Sequence, residues 1–173
     1  MKMQPISISG VSLRRLRKDD DLVALTALLH RANRPLAERG RRFSATHQSP
    51  DVTARRVARG VCLVAIHEGG FIGTITIMPH DPASPTELYR EPGIFHFGQF
   101  AVDPEWKGRG LGRRLHDAAL EVARAAGGHA MLLDTASPAA DLIAMYGRWG
   151  YAEVGRRRWE VTNYESVLMR RPL

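Results

Sequence analysis

The segment Val102-Asp103-Pro104-Glu105-Trp106-Lys107-Gly108-Arg109-Gly110-Leu111-Gly112-Arg113-Arg114 carries the densest chemistry of this chain. A β-type run, Phe97-Gly98-Gln99-Phe100-Ala101-Val102, enters a short polar turn, and a helix-patterned segment leaves it at once. The first N–H groups of a helix lack intrahelical acceptors, and the helix dipole adds partial positive charge beside them. An anion seated there accepts several backbone N–H bonds together. Gly108, Gly110 and Gly112 let the backbone approach closely, while Lys107, Arg109, Arg113 and Arg114 supply full charges. Residue types and order together predict a pyrophosphate cradle.

Spacing excludes two common phosphate loops. A Walker loop ends in Gly-Lys-Ser/Thr, and that tripeptide is absent. A dinucleotide fingerprint counted from Gly110 requires Gly or Ala where Leu115 stands; counted from Gly108, it requires Gly where Arg113 stands. The histidines are dispersed and no Cys/His cluster accompanies them, so no metal site is expected. No G-x-S-x-G nucleophile turn occurs.

The glycine turn resembles motif A of the GNAT superfamily of N-acetyltransferases, Gln/Arg-x-x-Gly-x-Gly/Ala behind a strand. Here it reads Lys107-Gly108-Arg109-Gly110-Leu111-Gly112 after Val102-Asp103-Pro104, with Lys107 in the usual Gln or Arg place. A second stretch, Met145-Tyr146-Gly147-Arg148-Trp149-Gly150-Tyr151, is similar to the superfamily's Leu-Tyr-x-x-x-Gly-Phe ending, with Tyr151 replacing Phe. The resemblance implies an acetyl-coenzyme A-dependent N-acetyltransferase acting by direct transfer to an amine. It implies that Phe100, Ala101 and Val102 hold the pantetheine arm through their backbone. The pyrophosphate would fall to Lys107, Gly108, Arg109, Gly110, Leu111, Gly112 and Arg113. One departure stands out: Ala139 occupies the place of an Asn that contacts pantetheine in many members.

Acetyl transfer poses two proton problems. An amine with a pKa near about 10.4 must lose a proton before attack, and the thiolate leaves more readily when a proton donor faces it. Tyr146 falls on the superfamily's tyrosine, which implies the donor role. Some members carry a glutamate eleven residues ahead of the Gln/Arg position, and that register gives His96 as the candidate base. Strict strand alternation puts Ile94, His96, Gly98, Phe100 and Val102 on one face and Gln99 on the other. Tyr151 and Trp149 are expected to pack in the core.

These residues need a scaffold, and the patterning predicts an α/β fold: a mixed, mostly antiparallel central sheet flanked by helices, in one domain over 1–173. Alternation predicts a first strand within 6–16, and Asp19-Asp20-Asp21 offers N-cap carboxylates to a leucine-rich helix. The stretch 33–50 reads as a loop with a short helix, followed by a helix from Pro50 to Arg59. A hairpin is expected about Glu68-Gly69-Gly70. The strand at 93–102 feeds the glycine turn. The next helix presents Leu111, Leu115, Ala118, Ala119, Val122 and Ala126, and a short strand follows at 131–133. A last helix leads into a terminal antiparallel pair.

The chain has 173 residues, 44% apolar and 25% charged, which suits one hydrophobic core. No apolar run approaches the roughly 20 residues of a membrane span, and the Met-Lys-Met-Gln-Pro start lacks the apolar stretch of a signal peptide. A cytoplasmic location and no membrane partner are therefore expected. The lone Cys62 lies in an apolar run and reads as a buried, inert thiol. The net charge of +7 is spread along the chain, so nucleic acid is disfavoured as a partner, and part of the charge suits the phosphates of coenzyme A. Superfamily members are frequently dimers, making a homodimer a candidate assembly. The competing class is a non-catalytic module that senses coenzyme A or binds nucleic acid through its arginines.

Overall fold

The computed structural model describes residues 8–41 and 44–173. In chain order the elements are β1 (Val11–Arg15), α1 (Leu22–Glu38), α2 (Pro50–Val57), β2 (Val61–His67), β3 (Gly70–Pro79), β4 (Ile94–Val102), α3 (Leu111–Ala125), β5 (Ala130–Ala136), α4 (Ala140–Arg148), β6 (Ala152–Arg158) and β7 (Glu165–Pro172). The strands form one seven-stranded sheet in the order β1-β2-β3-β4-β5-β7-β6. Every pairing is antiparallel except β4 with β5. The expected mixed, mostly antiparallel sheet is what forms. The first strand's predicted start, before residue 8, lies outside the described residues.

Local chemistry sets the elements. Glu68 and Gly69 both adopt positive φ between the paired His67 and Gly70, as the tight two-residue hairpin turn of β2 and β3 requires. Asp21 caps α1, its carboxylate accepting from Val23 N at 2.8 Å and Ala24 N at 3.0 Å. Leu25, Leu28, Leu29 and Ala32 turn to the sheet, where Leu25 and Leu28 pack on Cys62 and Val64 and the other two meet Ala101. Cys62 is buried, and burial pushes its thiol pKa up. On the opposite face, Leu111, Leu115, Ala119, Leu120 and Ala123 of α3 join the main core with Ile75, Phe97, Met131, Leu133 and Val167. The α3 stripe is turned from the expected one: Leu120, Ala123 and His116 are buried, whereas Ala126 is exposed.

The region 33–50 differs from expectation. α1 continues through Pro35 to Glu38, and only Ser44–Thr46 forms a short 3-10 turn. Proline removes one N–H donor but its φ is already helical. The stripe Leu25, Leu29, Ala32, Leu36 keeps the helical spacing, and packing against the sheet outweighs the single lost hydrogen bond.

Two irregularities in β4 matter more than the rest. Pairing with β5 covers only Ile94↔Ala130, Phe95↔Met131 and His96↔Leu132, after which the two strands part. β5 stays on β7 throughout, from Ala130↔Pro172 to Ala136↔Ser166. The β3–β4 register slips between Thr74 and Thr76, opposite Gln99, which adopts φ 48°. Such a bulge adds one residue and reverses the alternation beyond it. Phe95 and Phe97 therefore face α3 before the bulge, and Phe100 and Val102 face it afterwards. The strict alternation expected from the sequence, with His96 and Phe100 on one face, does not hold.

The approach to α1 supplies a test of stability. Arg14 donates two hydrogen bonds to Asp20, both at 2.7 Å, and holds its carboxyl down to about 2 despite the opposing effect of burial. The folded pKa lies below the unfolded value of about 3.9, so the stabilisation is complete above that pH and is lost as pH falls toward 2. Asp20→Asn is expected to lower unfolding free energy by about 1–3 kcal/mol at pH 7. Denaturant titrations at several pH values should also show a shallower acid loss between pH 4 and 2 in the variant.

Candidate functional site

Where β4 and β5 separate, two cavities open and meet. The first, about 600 Å³, lies along the second half of β4 and the glycine turn. Ala101, Val102, Lys107, Gly108, Gly110, Gly112 and Arg113 line one side, with Ala32 and Leu36 of α1, Met145 of α4 and Trp149 at its C-terminal cap opposite. Gly108 and Gly110 hold φ of 75° and 80°, and the space where their Cβ atoms would stand is open. There the backbone conformation, not crowding, demands glycine. Gly112 is different: its φ is ordinary, and an added Cβ would meet Phe100 and Val102 at 3.6 Å, a normal contact. α3 begins its helical bonding with Arg114 N donating to Gly110 O, so the N–H groups of Leu111, Gly112 and Arg113 precede the ladder.

The turn is tied to α1. Asp103 accepts from Glu105 N at 3.1 Å and from Arg31 Nε and Nη2 at 3.1 and 3.0 Å. Lys107 Nζ donates to Ala32 O at 3.4 Å. Of the predicted ligand residues, Phe100, Ala101, Val102, Lys107, Gly108, Gly110, Gly112 and Arg113 all line this cavity. Arg109 is exposed and lies over the Trp106 ring at 5.0 Å, outside the lining. Leu111 sends its side chain into the core, leaving only its backbone to the turn. Arg113 bonds Asp117 and lies 5.4 Å from the centroid of the Trp149 ring.

The second cavity, about 460 Å³, is polar. β5 contributes Asp134 and Thr135, β4 contributes Gly98 and Gln99, and α2 contributes Arg56 and Arg59. The β6–β7 connection closes a side with Trp159, Thr162 and Tyr164, and its Asn163 Nδ2 donates to Gly40 O at 2.8 Å beyond α1. Ala139 also lines this cavity and offers it no side-chain hydrogen bond.

Tyr146 stands at the junction. It lines both cavities, together with Asn33, Leu36, Phe100 and Leu142. α4 packs its ring against Phe97, Trp149 and Tyr151 at centroid distances of 6.2, 5.6 and 5.9 Å. Its hydroxyl makes no hydrogen bond among the described residues. Burial raises its pKa, and the nearby Asp134 charge adds to the effect, so the phenol keeps its proton at neutral pH. Tyr151 is buried as expected and is bonded to the buried His116 Nε2 at 2.8 Å, whereas Trp149 is only half-buried and walls the first cavity.

His96 is not brought to this junction. It lies where β4 and β5 still pair, against the edge of Tyr89 at 4.9 Å, and lines neither cavity. Burial, aided by Arg59, lowers its pKa to about 4. The titratable group that does reach the cavity is Asp134, two residues beyond the last β4–β5 pair. Its carboxylate opens onto the cavity, so it keeps solvent-accessible surface although protein encloses its other sides. That enclosure pushes its pKa up, opposed by the neighbouring Ser166, Trp159, Tyr89 and Arg56. Sequence reading passed over both Asp134 and Arg56. A signal existed for the first: a carboxylate ending the apolar run Ala130-Met131-Leu132-Leu133 stands at the carboxyl end of a parallel strand, where open sheets bind ligands.

No helix among the described residues is long and apolar enough to cross a membrane. Comparison with known proteins agrees with the geometry. The sequence profile of the Acetyltransferase (GNAT) family matches residues 23–151. S-(2-succino)cysteine N-acetyltransferase of Bacillus subtilis is 30% identical over 164 residues, covering 92% of this chain and 97% of that protein. Among solved structures, a GNAT family acetyltransferase of Elizabethkingia anophelis with acetyl-CoA bound superposes with a TM-score of 0.69 at 13% identity, covering 95% of this chain and 99% of that one. An acetyltransferase of Streptococcus agalactiae gives a TM-score of 0.69 at 17% identity, with 95% and 99% covered. The glycine turn, the parted strands and the family match lead to one conclusion: this chain belongs to the GNAT family of acetyltransferases.

Proposed function

We propose that this enzyme transfers acetyl directly from acetyl-CoA to the amine of a small molecule, with both substrates held at once in the joined cavities. The observation that carries this reading is Tyr146, whose ring lines the loop-side and the polar cavity together. Direct attack needs the amine nitrogen and the acyl carbon within about 3–3.5 Å, and a shared wall residue marks where that distance is reached. The residues present fit the coenzyme. The N–H groups at the start of α3 and the open positive-φ glycines suit a pyrophosphate, and the β4 edge freed beyond His96 leaves backbone groups for the pantetheine amides.

Acetyl-CoA supplies an activated acyl carbon and a thiolate leaving group. The free N–H groups of the β4 edge stabilise charge developing on the carbonyl oxygen. Tyr146, protonated at neutral pH, donates to the departing sulfur. No proton is routed through His96, since it lines neither cavity. The Bacillus subtilis relative is named for an acceptor of small-molecule size, which supports a small amine here. A cytoplasmic setting belongs to the same reading, consistent with the free, buried Cys62.

Tyr146→Phe is expected to lower kcat by about 10²–10⁴-fold, with the acetyl-CoA dissociation constant unchanged within about threefold. Steady-state kinetics and calorimetry check this, and a protein that binds the coenzyme with no turnover to lose is a sensor rather than an enzyme. The turn gives a paired test. Gly110→Ala forces a side chain into the left-handed region at a cost of about 1–2 kcal/mol, and is expected to weaken acetyl-CoA binding about tenfold. Gly112→Ala, with its Cβ directed at Phe100 and Val102, is expected to bind as the parent does. In melting experiments, about 1 mM acetyl-CoA should add roughly 2.7 kcal/mol for a site of about 10 μM affinity, with ATP and NAD adding far less.

A further inference from the structure

The polar cavity holds more organised charge than an amine alone requires. Arg56 enters it from α2 on a buried chain of hydrogen bonds. Thr26 Oγ1 meets Thr53 Oγ1 at 2.7 Å, Gln48 Nε2 donates to Thr53 Oγ1 at 2.7 Å, and Arg56 Nη1 donates to Gln48 Oε1 at 2.6 Å. Thr26, Thr53 and Gln48 are all buried, so the network is shielded from water and fixes one guanidinium orientation. Arg56 makes no ion pair among the described residues, although burial is heavy enough to lower its pKa. Its other nitrogen, Nη2, stands 3.6 Å from the position a Cβ on Gly98 would take, on the cavity side of β4.

A second donor waits beside it. Gln99 Nε2 is buried with no hydrogen-bond partner among the described residues, and Gln99 lines the same cavity. Its own carbonyl oxygen is engaged by Thr76 Oγ1 at 3.4 Å, which fixes the amide with its NH₂ free. A buried donor left unpaired is costly, and the half-buried Arg56 guanidinium has its desolvation offset by Asp134 only from beyond ion-pair distance; a carboxylate answers both. Arg41 adds a second cation, bonded among the described residues to Pro138 O at 3.3 Å, whereas the third, Arg59, is drawn to Asp81 at 3.4 Å. Against these stands one anion of the lining, Asp134, on β5 across the gap.

We propose that the polar cavity takes an amino acid-type acceptor, its carboxylate on Arg56 and Gln99 and its ammonium on Asp134, with Asp134 as the group that removes the first proton. The assignment rests on the acetyltransferase reading above and names the substrate class of that same site. The ammonium passes one proton to the Asp134 carboxylate and becomes a free amine. The nitrogen forms the amide C–N bond as the thioester C–S bond breaks. Tyr146 gives its proton to the leaving sulfur and recovers one from the acylated nitrogen. The products are the amide and the thiol, with one proton held by Asp134 for release to solvent. Enclosure, which raises the Asp134 pKa, strengthens it as an acceptor for that proton.

The test is a panel of matched amines assayed by free-thiol release with the whole protein and acetyl-CoA. Acidic α-amino acids and S-carboxyalkyl cysteines are set against the corresponding decarboxylated amines, polyamines and peptide N-termini. The expected result is that kcat/KM falls by about 10–100-fold or more when the carboxylate is removed, the range of a charge-assisted bond pair. Arg56→Gln should raise KM for the carboxylated acceptor by a similar factor, leave kcat nearly unchanged and keep acetyl-CoA affinity by calorimetry. Asp134→Asn should lower kcat while the acceptor still binds in the calorimeter. Amines without a carboxylate reacting equally well would overturn the proposal, with no variant needed. So would turnover of no panel member by a protein that still binds acetyl-CoA. Failure to bind acetyl-CoA at all would instead overturn the reading on which the proposal rests.

Discussion

The parting of β4 from β5 after the His96–Leu132 pair is the constraint on which the site depends. Up to that pair the two parallel strands close the sheet; beyond it β4 stays with β3 and β5 stays with β7. A sheet that parts in its middle exposes backbone groups on both inner edges, and these must find other partners. One edge faces the loop-side cavity, and the carboxyl end of the other carries Asp134. The bulge at Gln99 accompanies the break and turns Phe100 and Val102 onto α3, whose first turn is thereby set beside the strand end. Both cavities, and the tyrosine between them, follow from that one irregularity in pairing.

The walls are held by contacts of different kinds. α1 is packed to the sheet by leucines in its first half, and its second half is fastened to the glycine turn through Arg31–Asp103 and Lys107–Ala32 O. That half carries Asn33 and Leu36, which line both cavities. α4 is placed by an aromatic cluster of Phe97, Tyr146, Trp149 and Tyr151, with the buried His116 beneath it. The polar cavity is held instead by a hydrogen-bond chain through Thr26, Thr53 and Gln48. Apolar packing sets the frame, and directional bonds fix the orientation of the Arg56 guanidinium.

How much of this was legible in the sequence follows from where each signal is stored. The glycine turn was readable because its residues are contiguous and its conformation is local. The sheet was readable because β2, β3 and β5 are apolar runs bounded by turn chemistry. The end of α1 reads as loop because 33–50 is rich in Arg and in polar residues such as Ser and Gln, whereas the spacing of Leu29, Ala32 and Leu36 carries the contrary signal. His96 was singled out by counting along a strand assumed to be regular, and it stands back where β4 and β5 still pair. Arg56 and Asp134 come from distant segments that meet only through the sheet, so no spacing rule links them.

The proposed ternary complex holds coenzyme and acceptor in adjoining cavities at the same time, with Tyr146 between them. Initial velocities measured over a grid of acetyl-CoA and acceptor concentrations test it most directly. Double-reciprocal lines that intersect are the predicted result, since a ternary complex must form before any bond changes. Parallel lines, together with an acetylated protein trapped in the absence of acceptor, would show transfer by way of a covalent intermediate and contradict direct transfer.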